Sequence, residues 1–299
     1  MGVEAAEDLR LDELAGLAAG SAHRCSVEGT EAAGRGGWHV GTVAQAEACF
    51  QATAVAALTP RSGPAPEDVR EWGVTERSSD RLQSLFAAAA DPVQAESMAR
   101  YLKGGFPFHG IPAGPRRELQ RQAFAGRRLD RAEAEAEVAV LADALWALSE
   151  REYQYAACDL LRASTPRASA GLLPLIERLA VTKPWWDTVD SLAHAAGTLV
   201  LAHPELGARM DGLAQSPDPW LVRIALLHQL EAYGRTDSDR LLRTCAAHAG
   251  SSEFFVRKAI GWALRQYAKT DPAVVRAFVE AHPELSPLSR REALKGLPL

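Results

Sequence analysis

The feature that most constrains this fold is a long series of helix-length segments, separated by proline and glycine, that begins near residue 81. Apolar residues in these segments recur every three or four positions, which is the period of one helix face. Breaks fall at Pro166, Pro184, Pro204 and Gly250, and no stretch shows the alternation of a strand. The sequence therefore predicts an all-α fold. The predicted helical segments are 81–104, 115–125, 131–147, 150–163, 168–180, 185–201, 204–214, 218–233, 237–249, 253–269 and 272–282.

The spacing of three residues predicts that these helices stack as repeats. Trp186, Arg223 and Trp262 follow one another at intervals close to the roughly 40 residues of two-helix, HEAT-type repeats. Equivalent positions in such repeats lie side by side on one surface. We therefore predict an α-solenoid of HEAT-like helical repeats over residues 81–299, with the three side chains along one concave groove.

Residues 1–80 have a different character. They contain Gly34, Gly36 and Gly37, a proline- and glycine-rich break at residues 60–64, and little sustained periodicity. A segment that can bury little apolar surface tends to stay loosely ordered. We predict that residues 1–80 form a loosely ordered N-terminal extension and that the helical-repeat domain follows it.

The charge balance leaves a nucleic-acid-binding function open. The net charge is −5, and the excess of acidic residues lies in residues 1–80, while the remainder is slightly basic. An acidic total therefore does not exclude a surface that binds nucleic acid in the second part of the chain.

Membrane and metal-binding classes are disfavoured. No apolar run approaches the roughly 20 residues needed to cross a bilayer. Cys25, Cys49, Cys158 and Cys245 are far apart and form no Cys-x-x-Cys pair, and the histidines lack metal-ligand spacing. We expect a cytoplasmic protein without a metal site or a membrane span.

The helix after Pro184 carries an aromatic residue and a carboxylate on one face. Its apolar seam passes through Trp185 and Val189, whereas Trp186 and Asp190 lie four residues apart and are displaced from that seam. Such a face can hold a cationic group against an aromatic ring with a carboxylate nearby.

A second tryptophan helix, residues 253–270, carries a basic face. Lys258, Trp262, Arg265 and Lys269 are spaced so that they follow one side of the helix. The indole ring could stack on a sugar or base while the cations meet phosphates. These patterns indicate a nucleic-acid groove, and by themselves they leave open that the tryptophans pack in the core and that Asp190 is merely solvated.

Six segments of the chain resemble the AlkD-like DNA alkylation repair family. The resemblance runs in order over residues 82–297, approximately, and residues 1–80 have no counterpart in the family domain. The segments are MARYLK at 98–103, FPFHGI at 106–111, REYQY at 151–155, VTKPWWDTVDS at 181–191, EFFVRKAIGWALR at 253–265 and LSRREALK at 288–295.

The resemblance implies a DNA glycosylase built from HEAT-like repeats. Such an enzyme hydrolyses the N-glycosidic bond of positively charged N3- and N7-alkylpurines in duplex DNA, with no metal or organic cofactor. Its substrates would include 3-methyladenine, 7-methylguanine and bulky adducts, and it would leave the damaged base stacked. We expect a monomer whose partner is double-stranded DNA that contains alkylated purines.

The resemblance also assigns roles to individual residues. The family's catalytic cluster corresponds to Trp186, Trp262 and Asp190 in this chain, and the positions that grip the damaged backbone correspond to Tyr101 and Arg223. Arg265 is carried over as a contact to the DNA backbone, and the helix spacing adds Lys258 and Lys269 to the predicted DNA-binding residues.

Two alternatives stand beside the glycosylase. The first is a catalytically silent family member that binds unusual DNA structures, and the intact set of Trp186, Asp190 and Trp262 argues against it. The second is a HEAT-repeat scaffold that binds protein partners. The basic face around Trp262 favours DNA over that alternative.

Overall fold

The computed structural model describes residues 69–297, and all regular secondary structure within them is helical. The prediction of an all-α fold is confirmed, while residues 1–68, most of the predicted extension over residues 1–80, lie outside the described residues. The thirteen α-helices between residues 69 and 297 are α1 (Val69–Ala88), α2 (Pro92–Tyr101), α3 (Ala113–Ala123), α4 (Glu135–Ala147), α5 (Arg151–Ser164), α6 (Leu173–Ala180), α7 (Trp186–Ala202), α8 (Gly207–Leu213), α9 (Pro219–Leu227), α10 (Ser238–Ala247), α11 (Phe254–Tyr267), α12 (Pro272–Ala281) and α13 (Pro287–Leu294).

The helix starts show why the sequence breaks where it does. Asp91, Asp218, Asp237 and Asp271 precede α2, α9, α10 and α12, and each side chain accepts a backbone N–H of the first turn. Three of these four helices, α10 being the exception, also have proline in the first turn, where a missing N–H costs no helical bond.

The structure differs from the predicted segments at both ends of the domain. The segment 81–104 is two helices, because Asp91 caps a new helix after α1 ends at Ala88. Helix α1 begins at Val69, ahead of the predicted domain boundary at residue 81. The apolar pattern also does not predict α13, a short polar helix whose start is capped by Ser286.

Alternate helices pack side by side in chain order. We call six alternate helices the helix row, because each of them contacts the next member of the set. They are α3, α5, α7, α9, α11 and α13. The intervening helices cover the row: α4 packs on α5, α6 on α7, α8 and α10 on α9, and α12 on α11 and α13. This is the α-solenoid-like arrangement that the repeat spacing predicts.

One apolar core runs along the helix row. Val189, Leu192, Ile224 and Ile260 are fully buried, at 0% exposed, and belong to the same cluster of core side chains. None of the helices between residues 69 and 297 combines the length and the apolar character that a bilayer crossing needs.

Two glycines bring neighbouring row helices unusually close. A Cβ atom on Gly197 of α7 would lie 1.8 Å from the carbonyl oxygen of His228, at the end of α9. A Cβ atom on Gly261 of α11 would lie 2.4 Å from the Cβ atom of Glu292 in α13. Because protein interiors are tightly packed, the helices could admit either atom only by moving apart.

The close approach at Gly197 gives a testable stability effect. We expect Gly197→Ala to lower the free energy of unfolding by about 2–3 kcal/mol, since the added methyl group forces α7 away from α9. Urea denaturation of the purified protein measures this change.

Gly212 in α8 provides the matched control. It is exposed, and a Cβ atom there would have no heavy atom within 4 Å. Gly212→Ala should be neutral or stabilise the helix by up to about 1 kcal/mol. Equal effects of the two substitutions would contradict the close-packing explanation.

Candidate functional site

The first turn of α7 is held in place by a buried arginine from α5. Arg151 is 0% exposed, and its guanidinium group donates to both carboxylate oxygens of Asp187, at 3.0 and 2.5 Å. It also donates to the hydroxyl oxygen of Thr188 at 2.9 Å, and the Tyr155 hydroxyl donates to Asp187 at 2.7 Å. Because paired charge-assisted bonds are directional, α5 fixes the position of Trp186, the residue before Asp187.

Asp190 lies one turn farther along α7 and is paired with Arg223 of α9. Arg223 Nε donates to Asp190 Oδ1 at 2.6 Å, and Nη2 donates to Oδ2 at 2.8 Å. The third nitrogen, Nη1, donates to the backbone oxygen of Phe255 in α11 at 2.6 Å. The pair fixes both carboxylate oxygens and offsets the cost of burying the charge.

This pairing bears on the predicted role of Arg223. The side chain of Arg223 is 4% exposed, whereas that of Asp190 keeps 14% of its surface open to solvent. In this structure the guanidinium group is therefore engaged by protein acceptors and the carboxylate has the more accessible face. Contact between Arg223 and a DNA phosphate stays a prediction.

Tyr101 and Trp186 lie together at the surface. Their ring centroids are 6.0 Å apart with an interplanar angle of 78°, an edge-to-face contact. Tyr101, at the end of α2, is 56% exposed, and Trp186 is half-buried. The structure thus brings the predicted backbone-gripping tyrosine onto the first predicted catalytic tryptophan.

Trp185 lies in a second aromatic group, on the packing side. Its ring centroid is 6.0 Å from that of Trp220 and 5.1 Å from that of Phe255, and these two are 5.0 Å apart. The three rings join the starts of α7, α9 and α11. Together with the full burial of Val189, this agrees with the assignment of Trp185 and Val189 to the packing face of α7.

The predicted basic face of α11 contains a shared ion pair. Trp262 is partly buried against the core, between Lys258 and Arg265. Lys258 Nζ donates to Oε1 of Glu292 in α13 at 2.9 Å, and Arg265 Nη1 donates to its Oε2 at 2.8 Å. Lys269 lies beyond the end of α11, is exposed, and donates to Gln266 at 2.7 Å.

The two cationic partners of Glu292 favour the ionised form of its carboxyl group. Burial acts to raise the pKa of the Glu292 carboxyl, but the hydrogen bond and charge of Lys258, with the charge of Arg265, hold that pKa below its usual value. Sequence patterns did not single out Glu292 or Arg151, although both lie in segments that carry the family resemblance. The sequence signal that could have indicated these two residues is an arginine or lysine separated from a carboxylate by about one repeat.

The site therefore offers a fixed, partly accessible carboxylate and several aromatic rings on neighbouring helices. Asp190 lies on α7 and Trp262 on α11, and α9 contacts both of these helices. A carboxylate can stabilise a positively charged group, and so can the face of an indole ring. Among residues 69–297 no group of three or more histidine, cysteine, aspartate or glutamate side chains could hold a metal ion.

Comparison with known proteins gives a consistent result. A family model described as DNA alkylation repair enzyme matches residues 82–297, the range over which the sequence resemblance runs. A solved structure described as a predicted DNA alkylation repair enzyme from Enterococcus faecalis is similar, with a TM-score of 0.64 and 32% identity; the match covers 70% of this chain and 96% of that one. No curated protein matches this chain. The resemblance to a DNA alkylation repair family is thereby confirmed.

The buried pair of Asp190 and Arg223 predicts a large stability effect. We expect Arg223→Met to lower the free energy of unfolding by about 3–5 kcal/mol, because it leaves Asp190 without its cation and Phe255 without its donor. The measurement is denaturant unfolding at neutral pH.

Arg178 supplies the matched control. It also makes a bidentate pair, with Asp143 at 2.8 and 2.7 Å, but their side chains are 54% and 47% exposed. Arg178→Met should cost no more than about 1 kcal/mol. A cost for Arg223→Met as small as that of the control would show that the buried pair adds little to stability.

Proposed function

The chain belongs to the family of DNA alkylation repair enzymes, and from that membership we propose that it is a DNA glycosylase. The proposed reaction is hydrolysis of the N-glycosidic bond of positively charged N3- or N7-alkylpurines in duplex DNA. The observation that carries the proposal is the carboxylate of Asp190, held by Arg223 and placed one turn after Trp186 on the same face of α7.

The damaged base makes the chemistry simple. An alkylated purine already carries a positive charge, so it can leave without the proton that a general acid must give to a neutral base. As the glycosidic bond breaks, positive charge moves onto the deoxyribose. The task of the protein is to stabilise that charge and to deliver water to the sugar.

Asp190 is suited to both parts of this task. A fixed carboxylate supplies a negative field where positive charge develops, and it needs little reorganisation during the reaction. Its oxygens can also accept a hydrogen bond from the attacking water. Arg223 acts as a positioning residue in this mechanism, because its two bonds set the direction of the carboxylate.

Trp186 and Trp262 would pack on the deoxyribose and present π faces to the cationic centre. Each such contact is worth about 0.5–2 kcal/mol. The edge-to-face contact with Tyr101 supports one orientation of the Trp186 ring. The hydroxyl of Tyr101, together with Lys258, Arg265 and Lys269, would contact the DNA backbone.

The surface placement of these rings bears on how the base is handled. Trp186 is half-buried and Tyr101 is mostly exposed, which suits contact with a sugar and backbone at the outside of a duplex. In line with what the family resemblance implies, we propose that the damaged base remains stacked, unlike in enzymes that flip the base into a pocket. A base that stays stacked need not fit into a pocket, so we propose that bulky adducts are substrates as well.

Base release from methylated DNA tests the proposed function. The wild-type protein should release 7-methylguanine or 3-methyladenine from methylated duplex DNA, as measured by chromatography of the freed bases under single-turnover conditions. Asp190→Asn should lower the rate about 10²–10³-fold, because the negative field is lost, while binding to DNA persists.

Asp143→Asn is the matched control for the charge change. The side chain of Asp143 on α4 is 47% exposed and pairs with Arg178, so its substitution should leave the rate unchanged. Wild-type protein that binds DNA but releases no base would identify a catalytically silent member. Full activity of Asp190→Asn would instead contradict the proposed mechanism and leave the proposed glycosylase function unaffected.

A further inference from the structure

We propose that Glu292 competes with DNA phosphate for Lys258 and Arg265, and thereby limits the affinity of the protein for undamaged DNA. The inference rests on the proposed placement of DNA against the basic face of α11. It assigns a role to a carboxylate that the proposed reaction does not use.

The Glu292 carboxylate is held in a fixed place against α11. Helix α13 packs so closely on α11 that a Cβ atom on Gly261 would meet Glu292 at 2.4 Å. Ser289, one turn earlier in α13, donates its hydroxyl to the backbone oxygen of Arg257 at 2.9 Å. Glu292 itself is 8% exposed, so its position follows from helix packing rather than from a loosely held surface side chain.

The two cations remain within reach of a ligand. The side chains of Lys258 and Arg265 are 22% and 23% exposed, about twice the exposed fraction of the Glu292 side chain, at 10%. An ammonium group has three donors and a guanidinium group has five, so both can donate hydrogen bonds to a further anionic partner. They flank Trp262 along one face of α11, which places them where a backbone phosphate would lie if the ring packs on a sugar.

A phosphate that reaches these cations meets a carboxylate of the same sign. The three side chains together carry one net positive charge, although two cations are present. Binding therefore requires that one cation leave Glu292 or that the phosphate tolerate the nearby negative charge. Either route weakens binding to any DNA backbone, whether or not the DNA contains a lesion.

Substitution of Glu292 by glutamine tests the competition. Glu292→Gln keeps the size of the side chain and removes its charge. We expect the Kd for an unmodified duplex to fall at least about fivefold, and the slope of log Kd against log salt to steepen by about 0.9, which corresponds to one further phosphate contact.

Glu280→Gln is the matched control. Glu280 is exposed on α12, and its substitution changes the net charge by the same amount. It should alter the Kd less than about twofold, since it frees no cation beside Trp262. An equal gain in affinity for both variants would show a general charge effect and overturn the proposal. Weaker binding by Glu292→Gln would also overturn it, because Glu292 would then serve to position the cations for phosphate.

A second measurement covers the case in which Glu292→Gln does not fold. Compared with the wild-type protein, the double variant Lys258→Gln, Arg265→Gln should have a slope of log Kd against log salt that is smaller by about 0.9. This is the contribution of one phosphate contact, because Glu292 already offsets one of the two cations. A loss of about 1.8 would mean that both cations bind phosphate unopposed, which contradicts the proposal. Circular dichroism confirms that this variant is folded.

The binding assay separates this inference from the proposed function. It uses an unmodified duplex and no chemical step, so a protein that releases no base can still show competition by Glu292. Conversely, a normal glycosylase whose affinity for DNA does not respond to Glu292→Gln would retain the proposed function and lose this inference.

Discussion

A single guanidinium group connects three consecutive row helices and directs the carboxylate on which the proposed chemistry depends. Arg223 of α9 binds both oxygens of Asp190 in α7 and the backbone oxygen of Phe255 in α11. Because these bonds are short and the arginine is buried, α7 cannot shift along α9 without stranding a charge. The packing of α7 on α9 and the orientation of the Asp190 carboxylate therefore depend on the same hydrogen bonds. A change that displaces one helix also disturbs the carboxylate.

Comparable charged pairs occur at other contacts along the helix row. Arg151 of α5 binds Asp187 of α7, and Lys258 of α11 binds Glu292 of α13. Apolar contacts between helices tolerate small displacements, since the hydrophobic effect has no direction, whereas a hydrogen-bonded charged pair favours one relative position. We interpret these pairs as the contacts that set the register of neighbouring helices, with the apolar core supplying most of the stability. The proposed site uses this register, because its residues come from several helices of the row.

The sequence predicts the parts of this structure that depend on helix periodicity. An interval of four residues suffices to place Trp186 and Asp190 on one face of α7, and apolar spacing suffices to find most helices. It does not predict that Arg223 meets Asp190, because a contact between helices depends on how far one slides along the other. For the same reason the sequence does not predict that Glu292 pairs with Lys258 and Arg265, and its short polar helix also lacks an apolar pattern. Val69 starts α1 before the predicted boundary, in a region where glycine and proline obscure the period.

In the proposed mechanism, charge rather than a shape-selective pocket distinguishes a damaged base from an undamaged one. In this mechanism a neutral purine that approaches Asp190 gains little from the carboxylate. The DNA backbone that carries it still has to displace water from Trp186 and, in our proposal, to compete with Glu292 for Lys258 and Arg265. A cationic alkylpurine meets the same costs and adds attraction to a fixed negative charge. The difference in stabilisation between the charged and the neutral base grows as the glycosidic bond breaks. The charged base can leave without a proton, and as it leaves the deoxyribose that faces Asp190 becomes positive. In the proposed mechanism, discrimination thus comes from the charge of the lesion in the transition state, while the proposed competition by Glu292 lowers the affinity for damaged and undamaged DNA alike.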